Sequence, residues 1–576
     1  MNRKDRRAAG KRAPSLPSRT AGDATTALFA EATRLQQQQR LDDAARLYKR
    51  LLAVNPDHAQ ANNNLGLVLL AQGKRREASA RFARSLALMP QLFEQFNAVY
   101  QTLEAILPPL ADAVRQAVAA WPARLTIEQL FGGGGLHAIA GDPLLLCILQ
   151  SVPVRKMELE LLLTSLRAAL LAERNDNADA DLLGFRCALA KQCFTNEYVF
   201  TTTPDEDTRL ERLKTELDAA LKSAGEIAPT SLAIFAAYEP LHSLANGKRL
   251  LERKWPGIVD EIITQQLREP MEELALRGSI PAITPIDDET SKRVREQYEE
   301  NPYPRWVNFA QKVTPITLDA QLRIWFPATS FRPLGKTDSI DILVAGCGTG
   351  LQAAEIAQGY INARVLAVDL SLASLSYAKR KTKALAGLEF AQGDILKLGG
   401  ISRTFDLIAS AGVLHHMRDP LEGWRVLLSL LRPGGFMHLG LYSEIARRDV
   451  VAARKFISER GYASTAADIR RCRQDLMQTP LAALTRMTDF FTTSECRDLL
   501  FHVQESRLTI PQVKAFIESQ GLKFVGFNFD EAKARSYAAQ FAANGWSMTD
   551  LDKWHELESR YPDTFLGMYQ FWVQKP

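Results

Sequence analysis

From Ile340 onward the chain alternates short apolar runs of strand type with amphipathic helical segments, and that alternation admits few architectures. Residues 340–345 (Ile-Asp-Ile-Leu-Val-Ala) read as a buried strand, followed by Gly346-Cys347-Gly348-Thr349-Gly350 and a helix over 351–358. A second strand over 364–368 ends in Asp369, and Ser371 caps a helix running to 386. A third strand over 388–390 runs to Gly393-Asp394, and a fourth covers 405–409. A helix over 420–431 and the turn Arg432-Pro433-Gly434 lead to a fifth strand over 435–441. Candidates over 522–527 and 565–573 bring the strands to seven. Such connections wind into a mostly parallel sheet with helices on both faces, and ligands bind it at the carboxyl ends of the strands. The glycine run and both aspartates fall at that edge.

Spacing narrows the ligand. A dinucleotide fingerprint GxGxxG needs a glycine where Leu351 stands, and no lysine–serine pair completes a phosphate loop. Gly346-x-Gly348-x-Gly350 instead bends the chain beneath a ligand that has no phosphate to cradle. Asp369, 19 residues past Gly350, can accept both ribose hydroxyls, and Asp394 can accept from an adenine amino group. Two carboxylates without a phosphate anchor suit an uncharged nucleoside with a cationic sulfonium, which is S-adenosylmethionine.

The N-terminal half reads differently. Residues 25–58 and 59–92 repeat with a period of 34, pairing Ala44 with Ala78, Tyr48 with Phe82, Pro56 with Pro90, Leu35 with Leu69 and Ala32 with Gly66. Small residues let two helices approach, the aromatic fills the gap and the proline ends the second helix. In period and residue type this resembles the tetratricopeptide repeat. Residues 93–120 keep the helical spacing but lose the small and proline positions, as a degenerate third unit or cap would. The repeats offer either a groove for a peptide or protein partner or a scaffold that packs on the next domain. Residues 121–285 are helical by pattern, with breakers at Gly132 to Gly135, Pro204, Pro229 and Pro256; the polar and aromatic run from Cys193 to Tyr198 suggests no task.

Charge is concentrated at the start. Residues 1–22 form a basic tail expected to be disordered; seven Lys and Arg stand against Asp5 in its first twenty positions, leaving 64 basic and 65 acidic residues in the remainder. The body therefore shows no sign of a nucleic-acid partner. Neither a membrane span nor a secretory leader is expected, and six cysteines without a CxxC spacing suit a reducing cytoplasm. Nothing indicates an oligomeric state.

Five motifs occur in order: Ala345-Gly346-Cys347-Gly348-Thr349-Gly350, Ala367-Val368-Asp369-Leu370-Ser371, Gly393-Asp394-Ile395, Val413-Leu414-His415-His416 and Leu431-Arg432-Pro433-Gly434-Gly435. On these, residues 286–576 resemble class I S-adenosylmethionine-dependent methyltransferases. The whole chain resembles the bacterial group in which tetratricopeptide repeats precede such a domain. The resemblance implies a multidomain protein: an all-α half (repeats over 23–120, a helical middle domain over 121–285) and an α/β Rossmann-like domain with a seven-stranded sheet. It implies cofactor contacts from Gly346, Cys347, Gly348, Gly350, Asp369, Leu370, Asp394 and Ile395. It also implies a helical substrate cap over 443–520, which here holds the basic cluster Arg470, Arg471 and Arg473. The family commonly carries an acidic residue where this chain has Val344, which leaves the contact to the methionine end of the cofactor open.

The acceptor side offers candidates. Residues 295–306 combine prolines and aromatics into a stiff segment that is either a lid or a packing strap; Tyr298, Tyr303, Arg305 and Trp306 are its substrate-side candidates. His415 and His416 follow the fourth strand, and either they or Tyr298 supply a base or orient the acceptor, unless the histidines are satisfied helix-start residues. No metal cluster is expected with them. The fourth strand ends in Ala409-Ser410-Ala411-Gly412, not an Asn-Pro-Pro-Tyr loop, which argues against nucleic-acid bases as acceptors. Three readings remain: methylation of a protein or peptide docked by the repeats, methylation of a small metabolite with repeats serving assembly, and a non-catalytic module. Asp369 and Asp394 count against the third. The motif-bearing half, cut near Thr284, is expected to bind cofactor alone.

Overall fold

The computed structural model describes residues 21–174, 179–309, 314–336 and 338–576. The basic tail lies outside the described residues, apart from Ala21 and Gly22 at the start of the first helix.

The 34-residue period becomes two helix pairs, Ala21–Gln37 with Leu41–Val54 and Ala59–Ala71 with Arg75–Leu88. The paired positions do what their sizes require. Ala32, Ala44 and Ala78 are fully buried, and a Cβ at Gly66 would lie 2.9 Å from the Phe82 ring. Pro56 and Pro90 follow the second helix of each pair. The degenerate unit forms a third pair, Phe96–Ile106 and Pro108–Ala120. In the middle region the prolines start helices instead of separating them: Pro204 opens Pro204–Ser223 and Pro229 opens Pro229–Ala236, at positions whose N–H would have no helical partner. A single apolar core runs from Ala32 in the first repeat to Leu267 near the end of the helical half.

The sheet holds seven strands: β1 (Ile340–Ala345), β2 (Ala363–Asp369), β3 (Leu388–Gln392), β4 (Phe405–Ala411), β5 (Leu431–Leu441), β6 (Lys523–Phe527) and β7 (Tyr569–Gln574). Their order is β3-β2-β1-β4-β5-β7-β6, with β7 antiparallel to both neighbours and β1 to β5 parallel. The order reverses between β1 and β4, which opens the crevice where the motifs cluster. The helix expected to run to 386 spans Leu372–Lys381, and Phe565 precedes β7 in a loop. Residues on the helical side of the sheet also run along its edge: Ala282 bridges Gln392, and the Ile283 N–H donates to the Gln392 carbonyl.

Between β5 and β6 the helices Arg448–Arg460, Ala466–Leu476 and Thr493–Phe501 gather round their own apolar core, whereas the following Ile510–Ser519 packs into the sheet's core. The basic cluster fastens this cap to the helical half. Arg473 donates from Nη1 and Nη2 to both carboxylate oxygens of Glu160, each at 2.9 Å, with both side chains buried. Arg470 donates to the Tyr198 carbonyl, and Arg471 pairs with Asp468 inside the cap. The run from Cys193 to Tyr198 is the docking surface: Asn196 and Glu197 carbonyls and the Glu197 carboxylate accept from Thr493 and Ser494. Cutting the chain near Thr284 would strip Arg473 of its Glu160 partner, while every residue that lines the cavity described below lies beyond the cut. Among the described residues no helix is long and apolar enough to cross a membrane.

Glu160→Ala leaves Arg473 buried and uncompensated, and is expected to lower stability in urea unfolding by ~3–5 kcal/mol. Replacing both partners with apolar residues of similar volume is expected to recover most of that loss.

Candidate functional site

A cavity of about 360 Å³ opens at the carboxyl ends of β1 to β4, walled by Gly346, Cys347, Gly348, Asp369, Leu370, Asp394 and Ile395. Two glycines explain the loop after β1. Gly348 has φ +50°, and a Cβ there would lie 2.5 Å from the Tyr303 carbonyl oxygen. Gly350 has φ +84° and does not line the cavity; a Cβ would collide with Ala378 at 2.6 Å. Its task is to let the helix Leu351–Gly359 start hard against the helix Leu372–Lys381.

The carboxylates differ in what they have left to give. Asp369 accepts from the backbone N–H of Gly348 through Oδ2 (2.7 Å) and of Ser371 through Oδ1 (2.9 Å). Burial pushes its carboxyl up, opposed by those N–H groups. One lone pair on each oxygen remains, the number a ribose diol requires. Asp394 accepts from the Leu396 N–H through Oδ1 (3.0 Å), while its buried Oδ2 has no hydrogen-bond partner. Burial raises this carboxyl too, with the Ser291 hydroxyl beside it and the Leu396 N–H opposing. A buried acceptor without a donor is costly unless a ligand supplies one. The cavity therefore fits an adenosyl group: a cradle too tight for side chains, a diol acceptor and an unfilled acceptor. Val344 is buried in β1, so no carboxylate reaches the cavity from that position.

The segment before the sheet divides into lid and strap. Tyr298 and Tyr303 line the cavity and stack on each other with ring centres 6.4 Å apart. Arg305 and Trp306 do not line it. Arg305 turns outward to Glu197 of the helical half, Nε to Oε1 3.1 Å. Trp306 is buried and donates from Nε1 to the Thr349 carbonyl at 2.9 Å, while the Thr349 hydroxyl donates to the Pro304 carbonyl. Trp306 thus clamps the glycine loop and Arg305 ties the strap to the helical half, and neither lines the cavity.

The two histidines also part company. His415 is buried outside the cavity wall, stacked on Tyr442 at 3.7 Å, with neither ring nitrogen hydrogen-bonded. His416 lines the cavity. With it, against the expectation that no such group accompanies these histidines, stand Asp498 and His502 of the cap, their ligand atoms all within 4.8 Å of one another. Tyr298 joins them: its hydroxyl donates to Asp498 Oδ1 (2.5 Å) and lies 3.2 Å from His502 Nε2. Burial and the Asp498 carboxylate hold the Tyr298 hydroxyl protonated, and burial lowers both histidines. Nothing local in the sequence joins His416 to residues 82 and more positions away. Gln570 and Met568, also in the wall, arrive from the loop and strand at the chain's other end.

Residues 342–435 match the family described as methyltransferase domain, and residues 29–91 that described as tetratricopeptide repeat. An uncharacterized protein of Synechococcus sp. is 30% identical over 202 residues, covering 32% of this chain and 48% of its own. Trans-aconitate 2-methyltransferase of Deinococcus radiodurans is 42% identical over 92 residues, 16% of this chain and 34% of that one. Ubiquinone biosynthesis O-methyltransferase of Methylocella silvestris is 36% identical over 107 residues, 18% and 40%. The chain thus spans about half or less of the length of these curated relatives. Among solved structures, PKMT2 from Rickettsia typhi in complex with AdoHcy is 15% identical, with a TM-score of 0.33 and coverage of 46% of this chain and 54% of that one. From the two family matches and the sheet that holds the first of them, the chain carries a class I S-adenosylmethionine-dependent methyltransferase domain behind tetratricopeptide repeats.

Proposed function

We propose that the protein transfers a methyl group from S-adenosylmethionine to an acceptor held at the Tyr298–His416 end of the cavity. The observation that carries this reading is the buried, unpartnered Oδ2 of Asp394 in the same wall as Asp369. When bound, the cofactor supplies an electrophilic methyl on a sulfonium. Asp369 accepts from the ribose hydroxyls, Asp394 accepts from the adenine amino group, and Gly346 and Gly348 allow close approach of the backbone. Leu370 and Ile395 add apolar wall, and the Tyr298–Tyr303 pair closes the site against water. Holding nucleophile, methyl and sulfur in line supplies much of the rate.

For the acceptor, the reading the architecture supports best is a protein or peptide recruited by the repeats. The repeats share one core with the helical half, and that half seats the cap beside the acceptor end. The names of the trans-aconitate and ubiquinone-pathway relatives favour a second reading, a small metabolite, with the repeats serving assembly. Six cysteines free of disulfides suit action in the cytoplasm.

Calorimetry with S-adenosylmethionine is expected to show saturable binding that Asp369→Ala weakens at least ten-fold, since charge-assisted hydrogen bonds contribute ~1.5–3 kcal/mol each. Unchanged affinity in that variant would refute the cofactor assignment. Gly348→Ala forces a Cβ onto the Tyr303 carbonyl and is expected to weaken binding by a similar factor while the fold survives, as circular dichroism would report. Methyl-labelled cofactor incubated with cell lysate and the protein is expected to label macromolecules. Label confined to the small-molecule fraction would sink the peptide reading in favour of the metabolite one.

A further inference from the structure

Two buried imidazoles at the acceptor end are read in opposite senses by the backbone of one residue, Gln504. His416 Nδ1 lies 2.9 Å from the carbonyl oxygen of Gln504, an acceptor only, so Nδ1 carries the hydrogen and Nε2 the lone pair. The N–H of the same residue donates to His502 Nδ1 at 3.0 Å, so in His502 the lone pair sits on Nδ1 and the hydrogen on Nε2. The rings are stacked with centres 3.6 Å apart and planes 18° apart. Both Nε2 atoms face Asp498 Oδ1, at 3.8 and 3.9 Å, but only that of His416 can accept. His502 Nε2–H can donate to the Tyr298 oxygen at 3.2 Å, whose own hydrogen goes to Asp498.

This arrangement argues against a metal at the three groups. A cation held by both Nε2 atoms needs a lone pair on each, and the Gln504 N–H removes it from His502. It suits proton transfer instead: one acceptor nitrogen in the cavity wall, with a carboxylate positioned to stabilise the charge that appears on it.

Resting on the methyltransferase reading, we propose that His416 is the general base of the transfer, that Asp498 is its positioning partner, and that the acceptor is a hydroxyl or amino group that must lose a proton. The attacking atom's lone pair forms the bond to the methyl carbon, and the carbon–sulfur bond breaks with its electron pair passing to sulfur. The attacking atom's proton passes to His416 Nε2, and the resulting imidazolium faces Asp498. An acceptor already free of protons at neutral pH, such as a carboxylate, would need none of this. The groups that face His416 are Asp498, His502 and Glu505 of the cap, Tyr442 and Arg447 after β5, and its neighbour His415. Burial, the first of these influences, lowers His416, which keeps its lone pair free at neutral pH.

Two measurements on the full chain decide the matter. In long-range proton–nitrogen NMR of histidine-labelled protein, with signals assigned by His416→Gln and His502→Gln, His416 is expected as the Nδ1–H tautomer and His502 as the Nε2–H tautomer. The same tautomer in both, or saturation of both signals by one equivalent of Zn²⁺, would overturn the proposal. In labelled-methyl transfer to lysate, His416→Gln is expected to bind cofactor within about two-fold of wild type but to transfer about 10²-fold more slowly or worse. Asp498→Asn is expected to slow transfer and move the acid limb of its pH profile to lower pH, because the imidazolium loses its partner. A structural role for Asp498 would leave that limb in place. If His416→Gln binds and transfers like wild type, the base assignment fails and the methyltransferase reading stands. If wild type binds cofactor but labels nothing, that reading fails, and the tautomers still report on the imidazole pair.

Discussion

The Arg473–Glu160 pair joins two parts of the chain that have separate apolar cores, the helical half and the cap that carries Asp498 and His502. Its geometry is two-pronged and buried, with Arg473 also donating to the carbonyls of Phe490 and Val199. Two charges out of water repay their desolvation only when their donors find acceptors, and here four of the five guanidinium N–H groups do. Around it the contacts repeat the theme on a smaller scale: Arg155 to Glu495, Arg305 to Glu197, Ser494 to Glu197. Arg155–Glu495 and Ser494–Glu197 run from the helical half to the cap, and Arg305–Glu197 ties the strap to the helical half. The sheet supplies the cofactor edge, while the cap that brings Asp498 and His502 to His416 is hung from the helical half.

How much of this was legible in the sequence follows from how local each signal is. A strand, a glycine turn or a capped helix is specified within ten residues, so β1 to β5 and the cradle could be read directly. The repeats were legible because the same size constraint recurs after 34 positions, as Gly66 against Phe82 illustrates. Arg305 and Trp306 misled because a polar, aromatic, proline-stiffened run looks alike whether it faces a ligand or grips a loop. Only the partner decides, and Thr349 and Glu197 lie 43 and 108 positions away. Gly350 misled for a related reason: within a motif that binds as a unit, one glycine serves helix packing.

The cap was the least legible region. Arg470, Arg471 and Arg473 read as one basic cluster of a substrate cap, yet each has a different partner: a carbonyl, a neighbouring aspartate and a buried glutamate across the interface. The polar run ending at Tyr198 gave no hint of a task for a matching reason. Its carbonyls and the Glu197 carboxylate acquire meaning only from Thr493 and Ser494, nearly three hundred positions later. A residue's type can state what it is able to bond, but a fold must state to whom.

The backbone of Gln504 carries this one step further. What it contributes is a carbonyl and an N–H, which every residue type except proline owns. The pairing therefore depends on the path of the loop and not on the side chain at 504. A search for chemistry by residue type would pass over the group that decides which imidazole is able to take a proton.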